Sequence, residues 1–497
     1  MTRIVADPAR QLGDLDRNVF GGFVEHLGRC IYGGLYDEGS PLADAQGFRT
    51  DVLGLLRELR MGVLRWPGGN FVSNYHWTDG IGPRDRRPRR PELAWGDEES
   101  NRFGTDEFVA YCAELGTEPY VCLNMGTGTL EEALAWVEYC NGAGQTAWAA
   151  RRRENGHDEP FRVRYWGLGN EMYGDWQVGA VSAEEYVRNA ARWARAIRRL
   201  DPDALLVSCG MNGWNDWDRV VIDGLAHLVD LHSLHIYTGS DDYWANVLAP
   251  HQAERAIRCA GALIDRAAYT KKMARRPGIA YDEWNVWFRT DDGTLEERYN
   301  FSDALAVGTY LNIFVRNCQR VRMANLAQMV NAIAPIVTSS GAVATQPIYY
   351  PVLLHAKAAL DVAIDTYVSG PVVDGPASEP RGRWPHRVGD LGPFTLVDAA
   401  ATASAESGRI ALTLVNRGLE AEPADIVLRD TSSGSTVFDG VAEITTVTAE
   451  RGPGARVLPD VEGACVTEGS EKPAGSLLSL TLPPQSFTVI EAATTRS

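Results

Sequence analysis

The sequence predicts an α/β architecture in two parts. A (β/α)8 TIM barrel spans residues 18–375, and an antiparallel, jelly-roll-like β-sandwich spans 376–497, with residues 1–17 able to join it. Three observations carry that reading. Between residues 18 and 350 short apolar runs alternate with longer amphipathic stretches, the rhythm of repeated strand–helix units. The alternation occurs eight times, whereas a doubly wound sheet usually stops at fewer strands. Beyond about residue 375, Gly, Pro, Ser and Thr become dense, and period-two runs such as Arg409–Val415 and Leu477–Leu482 replace the helical period.

In order, the strand candidates are Val19–Val24, Val63–Trp66, Tyr120–Asn124, Val163–Leu168, Leu205–Cys209, Leu231–Ile236, Ile279–Glu283 and Ala324–Met329. Between them, Thr129-Leu-Glu-Glu132 and Ser182-Ala-Glu-Glu185 each set a hydroxyl three residues before a carboxylate, the start signal of a capped helix. The domain boundary falls in Ser369–Trp384, a stretch rich in Gly, Pro and Arg.

Composition narrows the function. With 45% hydrophobic and 23% charged residues the chain can build a sizeable core and lacks the profile of disorder. Its net charge of −17 disfavours phosphate backbones and anionic membranes, so neither nucleic acid nor membrane is expected as a partner. The basic run Arg84–Arg90, broken by Asp85 and Pro88, reads as a solvated loop or a subunit contact. No apolar window approaches the roughly 18 residues of a membrane span, and the start MTRIVADPARQL lacks the pattern of a secretory leader. Eight scattered cysteines without a C-x-x-C pair argue against a zinc site or a disulfide framework, which fits a cytoplasmic protein. Gly126-Thr-Gly128 lacks the third glycine of a dinucleotide fingerprint, and neither a P-loop nor a G-x-S-x-G elbow occurs, so no cofactor and no serine nucleophile is expected.

A barrel carries its chemistry at the C-terminal ends of its strands. The fourth candidate strand ends in Trp166-Gly-Leu-Gly-Asn170-Glu171 and the seventh in Ala280-Tyr-Asp-Glu283-Trp-Asn285, so each delivers a glutamate to the rim. Two carboxyl groups flanking one sugar are what glycosidic hydrolysis requires, about 5–5.5 Å apart for retention and about 6.5–9.5 Å for inversion. One holds a proton for the leaving group while the other is ionised. Taken singly, a glutamate after a strand is more often a helix N-terminal carboxylate or a salt-bridge partner. The Asn170 amide suits a sugar hydroxyl, and Trp284 and Trp287 offer flat apolar faces. A metal cluster of His232, His235 and His227 is the competing reading of that region, although residues 232 and 235 of one strand face opposite sides. No metal is expected.

Six ordered motifs carry a resemblance: Phe23–Gly34 (FVEHLGRCIYGG), Arg65–Phe71 (RWPGGNF), Leu93–Trp95, Asn101–Phe108 (NRFGTDEF), Gly167–Glu171 and Asp282–Trp287 (DEWNVW). Together they resemble glycoside hydrolase family 51, the intracellular α-L-arabinofuranosidases of clan A, and the likeness runs over nearly the whole chain. It implies that Glu171 is the acid/base and Glu283 the nucleophile. It further implies that Glu25 and Asn70 hold arabinose hydroxyls, that Asn170 contacts the 2-hydroxyl, and that Tyr237 hydrogen-bonds the nucleophile with His235 nearby. Trp95 is implied to line the pocket, and Gln346, in Thr-Gln-Pro-Ile-Tyr-Tyr-Pro, to supply a glutamine contact after strand eight. From the residues alone, Glu25 reads equally as a buried salt bridge, Gly-Gly-Asn70 as a turn and Trp95 as loop packing. The resemblance also implies arabinose-containing oligosaccharides as partners and a homo-oligomer, a hexamer by family analogy.

The expected activity is exo release of terminal non-reducing α-L-arabinofuranosyl groups from arabinan- or arabinoxylan-derived oligosaccharides by double displacement. Glu171 is expected to have a raised pKa in the free enzyme because of the Glu283 charge. Two rivals remain. A β-xylosidase or endo-β-glucanase of the same clan would share the barrel and the carboxylates. A non-catalytic carbohydrate-binding protein would use the same aromatics but has no need of two strand-end glutamates.

Overall fold

A computed structural model describes residues 1–288, 295–376, 388–429, 436–449 and 463–496; the part of the Ser369–Trp384 stretch from 377 onward lies outside them. The chain opens with β1 (Thr2–Asp14), which joins the C-terminal sheet. The barrel follows as β2 (Gly21–Phe23), β3 (Val63–Trp66), β4 (Glu118–Leu123), β5 (Tyr165–Leu168), β6 (Leu205–Ser208), β7 (Leu231–Thr238), β8 (Gly278–Val286) and β9 (Val321–Ala327). Each pairs in parallel with the next, and β9 returns to β2, so eight strands close the ring. All eight candidate strands of the sequence overlap these.

Helices pack outside the ring through one apolar face. In Ala183–Leu200 the buried Tyr186, Ala190, Trp193, Ala194 and Ile197 recur at three- and four-residue spacing, while arginines and glutamates take the rest. The expected starts are present: the Thr129 and Ser182 hydroxyls accept the N–H groups of Glu132 and Glu185 at 3.1 and 3.3 Å. Inside the ring, Val63, Tyr120, Tyr165, Val207, Leu231, Ala280 and Met323 pack together, so the lower barrel is core rather than pore.

Strand β8 departs from regular pairing where it matters most. Ala280 and Glu283 face Ser233 and His235 of β7, so three steps along β8 match two along β7, and the same mismatch recurs against β9. Side chains on a regular strand alternate between faces, but this bulge lets Asp282 and Glu283 both turn inward. Tyr281 and Trp284 point outward instead, each packing a ring on Phe314 of the helix Phe301–Arg316. Trp284 is therefore core rather than the sugar platform expected of it.

The second unit is β10 (Val362–Ser369), β11 (Val397–Ser404), β12 (Arg409–Asn416), β13 (Glu422–Leu428), β14 (Thr436–Ala449), β15 (Ala464–Glu471), β16 (Leu477–Leu482) and β17 (Ser486–Arg496). With β1 they form one ladder in the order β15-β14-β17-β12-β11-β10-β1-β13-β16, antiparallel throughout except between β1 and β13. β13 and β14 lie far apart in that order yet touch, so the sheet curls around its own core of Ile4, Ile364, Leu412, Leu414, Ile426, Phe438 and Ile490. Its other side, through Val415, Phe487 and Val489, packs on Phe301, Ala304 and Leu305 of the barrel helix.

The sheet takes up the chain at Val362, earlier than the expected division at 375/376. The Val362–Ser369 run is as apolar as a barrel strand, and only its partners, β1 and β11, assign it. In the basic run Arg84–Arg90, four of the five arginines are paired: Arg84 and Arg87 with Glu107, Arg89 with Glu98, and Arg90 with Asp79. No helix among the described residues is long and apolar enough to cross a membrane.

Because β1 stands between β10 and β13 with Ile4 and Ala6 fully buried, its removal would split the sheet rather than trim an edge. Deleting residues 2–14 should abolish folding or lower Tm by more than about 10 °C in a circular-dichroism melt, and a change of a degree or two would contradict this placement.

Candidate active site

The C-terminal ends of the barrel strands surround a cavity of about 1040 Å³. Of the ten candidate residues, Glu25, Asn70, Trp95, Glu171, His235, Tyr237, Glu283 and Trp287 line it, whereas Asn170 and Gln346 do not. Glu171 follows β5 with φ of +40°, a left-handed conformation, and Glu283 sits in β8 beside His235 of β7. One oxygen of each glutamate and a ring nitrogen of His235 lie within 4.8 Å of one another.

Each carboxylate has its own set of donors. The Glu283 oxygens accept from Arg65 at 2.7 Å and from the Tyr237 hydroxyl at 3.1 Å. Those of Glu171 accept from His235 Nδ1 and Trp176 Nε1, both at 2.9 Å, and from the Tyr173 hydroxyl at 3.0 Å. Asp282, beneath them, accepts from Tyr120 at 2.8 Å and from the Ser233 hydroxyl, with His235 Nε2 3.3 Å away. His235 Nδ1 also lies 3.4 Å from Glu283, so this imidazole touches three carboxylates.

The cationic partners are Arg65 and His235, and both are buried. Arg65 also donates to the Asn170 side-chain oxygen at 2.7 Å and lies over the Phe23 ring. Asn170 thereby ties Arg65 to the segment that carries Glu171. Burial by itself would lower the His235 pKa, but Glu283, Asp282 and Glu171 outweigh it and raise the imidazole to about 10. Burial would raise Glu171, yet the hydrogen bond and charge of His235, with Trp176 and Tyr173, hold it below the usual carboxylate range. This direction is opposite to the expected elevation of Glu171, and the His235 imidazole is its cause. Burial raises Glu283, and the nearby Glu171 charge adds to that, against the pull of His235 and Arg65. With an imidazolium and a guanidinium beside these acids, the cluster carries its own countercharge.

Opposite stands Glu25, after β2. Its oxygens accept from the Phe71 N–H at 2.9 Å, Trp95 Nε1 at 3.2 Å and Gln328 Nε2 at 3.1 Å. Burial raises its pKa to about 8, so near neutrality it can donate as well as accept. Gly69 makes this possible, since a Cβ there would lie 2.4 Å from a Glu25 oxygen.

Gln346 is a correction. Its amide is consumed by backbone, donating to the carbonyls of Glu297 and Ala334 and accepting from the Tyr299 N–H, which makes it a buried loop brace. The glutamine on the cavity wall that reaches Glu25 is Gln328, next after β9. Its strand-end position was the signal, hidden inside a candidate strand drawn two residues too long. Arg65, Asp282, Tyr173 and Trp176 were likewise unassigned, because their roles come from partners distant in sequence.

Comparison with known proteins now settles the family. One family model, described as the alpha-L-arabinofuranosidase 1 domain, matches residues 55–255, and another, the alpha-L-arabinofuranosidase C-terminal domain, matches residues 282–456. The chain is 44% identical over 467 residues to alpha-L-arabinofuranosidase C of Emericella nidulans, covering 90% of each. It superposes on the GH51 alpha-L-arabinofuranosidase of Thermotoga petrophila with a TM-score of 0.89 at 38% identity, over 99% of this chain and 100% of that one. The chain belongs to the family 51 α-L-arabinofuranosidases. A further α-L-arabinofuranosidase, the intracellular exo-α-(1→5) enzyme of Halalkalibacterium halodurans, is 39% identical over 75% of this chain and 78% of its own.

Proposed function

We propose that this α-L-arabinofuranosidase is a retaining, exo-acting enzyme in which Glu283 is the nucleophile and Glu171 the acid/base. The observation that carries this reading is the approach of a Glu171 oxygen to within 4.8 Å of a Glu283 oxygen in one cavity, which suits retention and falls short of the separation of about 6.5–9.5 Å that inversion requires. Glu283, braced by Arg65 and Tyr237, attacks the anomeric carbon while Glu171 protonates the departing oxygen; Glu171 then deprotonates the water that releases arabinose. The acid's proton comes from His235 across their 2.9 Å hydrogen bond. Once Glu283 is consumed in the glycosyl-enzyme, one of the charges that keeps His235 protonated is gone, which favours the base form of the pair for the second step.

Glu25, Gln328 and Asn70 supply polar contacts for arabinose hydroxyls, with Trp95 and Trp287 beside them. The name of the Halalkalibacterium relative supports α-(1→5)-linked arabino-oligosaccharides as substrates and action inside the cell. The eight free cysteines, seven of them half-buried or more deeply buried, are consistent with a reducing compartment. Self-association rests on family likeness alone, and mass photometry of the purified chain tests it.

Glu171→Ala should lose at least about a hundredfold in kcat on arabino-oligosaccharides but far less on nitrophenyl α-L-arabinofuranoside, whose leaving group needs no proton; equal loss on both would remove the acid role. Glu283→Ala should fall by about 10⁴ or more, and added azide should restore release of a product of inverted configuration, detectable by NMR. The pH profile of kcat/KM reports the free enzyme. Its acid limb should lie above that of an ordinary glutamate, since activity is lost as pH falls through the raised Glu283 value. Its alkaline limb should lie high, lost as pH rises through the His235 value of about 10, and His235→Gln should move it down by at least about one unit. An unmoved alkaline limb in that variant would refute the shared proton.

A further inference from the structure

We propose that Asp218, gripped by His232, is a positioning residue that sets selectivity for the leaving sugar by fixing the 211–216 loop as a wall of the cavity. The proposal rests on Glu171 being the acid. After β6 the chain crosses the cavity rim before entering the helix Asp216–Leu225, and Met211, Asn212, Trp214, Asn215 and Asp216 line the cavity. In a ring of eight strands β6 stands diametrically opposite β2, which carries Glu25, and next to β5, which carries Glu171. A leaving group protonated by Glu171 and directed away from Glu25 therefore meets this loop. Trp214, 39% exposed, offers a flat face, and Asn212 and Asn215 offer amides, the chemistry that suits a further sugar.

The loop owes its path to one carboxylate. Asp218, wholly buried, accepts the N–H groups of Met211, Asn212 and Gly213 at 2.7, 3.1 and 2.9 Å. His232 Nε2 stands 3.0 Å from the same carboxylate, and its Nδ1 is 3.0 Å from the Ser208 hydroxyl. This Ser–His–Asp chain has the connectivity of a nucleophile relay, but all three residues are sealed from solvent, so its effect falls on the loop. Two glycines confine the backbone further. Gly213 has φ of +85° and a Cβ there would lie 2.5 Å from the Ala256 carbonyl, while one at Gly210 would strike the Ser233 carbonyl. The same segment is registered to the catalytic strand, because the Met211 carbonyl receives the His235 N–H at 2.8 Å.

Asp218→Asn puts an N–H2 where an acceptor stood and orphans buried backbone donors, so the loop should shift. Kinetics on nitrophenyl α-L-arabinofuranoside and on α-(1→5)-arabinotriose test this. Expected for Asp218→Asn are an aryl kcat/KM within about threefold of wild type and a trisaccharide KM raised about tenfold. Trp214→Ala should raise the trisaccharide KM as well, and the double variant should be no worse than the poorer single one, because both act through one wall. Should Asp218→Asn fail to fold, His232→Gln, which spares the three backbone bonds, should shift the trisaccharide KM in the same direction by about threefold. Equal losses of kcat on both substrates with an unchanged ratio of KM values, or additive losses in the double variant, would overturn the proposal. Full trisaccharide activity of Glu171→Ala would instead overturn the acid assignment beneath it.

Discussion

The carboxyl groups of Glu25, Glu171 and Glu283 face one cavity, that of Asp282 is buried beside them against His235, and all four have little exposure to water. Taking each from water as an anion costs several kcal/mol, and mutual repulsion adds to that. The buried guanidinium of Arg65 is what makes the arrangement tenable. It contacts Glu283 directly, sits 3.7 Å from Asp282, and holds the Asn170 side chain that precedes Glu171. His235 is the second cation, and it remains one only while its carboxylate neighbours are charged. The site is therefore a coupled set in which the protonation of any member depends on the others. Glu25, out of direct reach of either cation, meets the same constraint by taking up a proton.

Such a set needs several charged side chains to converge from strands far apart in sequence, and the closed ring of parallel strands does this. The bulge in β8 contributes most specifically, because without the extra residue Asp282 and Glu283 would face opposite sides and one of them would have to ionise in the helix layer. The curled C-terminal sheet stays remote from the reacting groups. Its contact with the helix Phe301–Arg316 supports that helix from outside, and the partly buried pair of Arg316 with Asp398 at 2.9 Å ties the sheet to the barrel.

How far the sequence could be read varied with the kind of signal. Strand-end glutamates were legible because a barrel restricts chemistry to one rim. Glu25, Asn70, Trp95 and Tyr237 emerged only through motif likeness, since each has an ordinary structural use. Gln346 and Trp284 misled for different reasons. An amide near a strand end is drawn as readily to backbone carbonyls as to a ligand, and a tryptophan after a glutamate faces outward once a bulge resets the alternation.

The sequence by itself determined the order of strands and helices, the capped helix starts and the two glutamates at the rim, because these depend on local periodicity and on short-range hydrogen bonding. Tertiary structure alone decided which glutamate hydrogen-bonds His235, which glutamine reaches Glu25, and that residues 2–14 complete a sheet formed hundreds of residues later. Charge coupling and strand pairing act through space over a few ångströms, and no spacing along the chain encodes those distances.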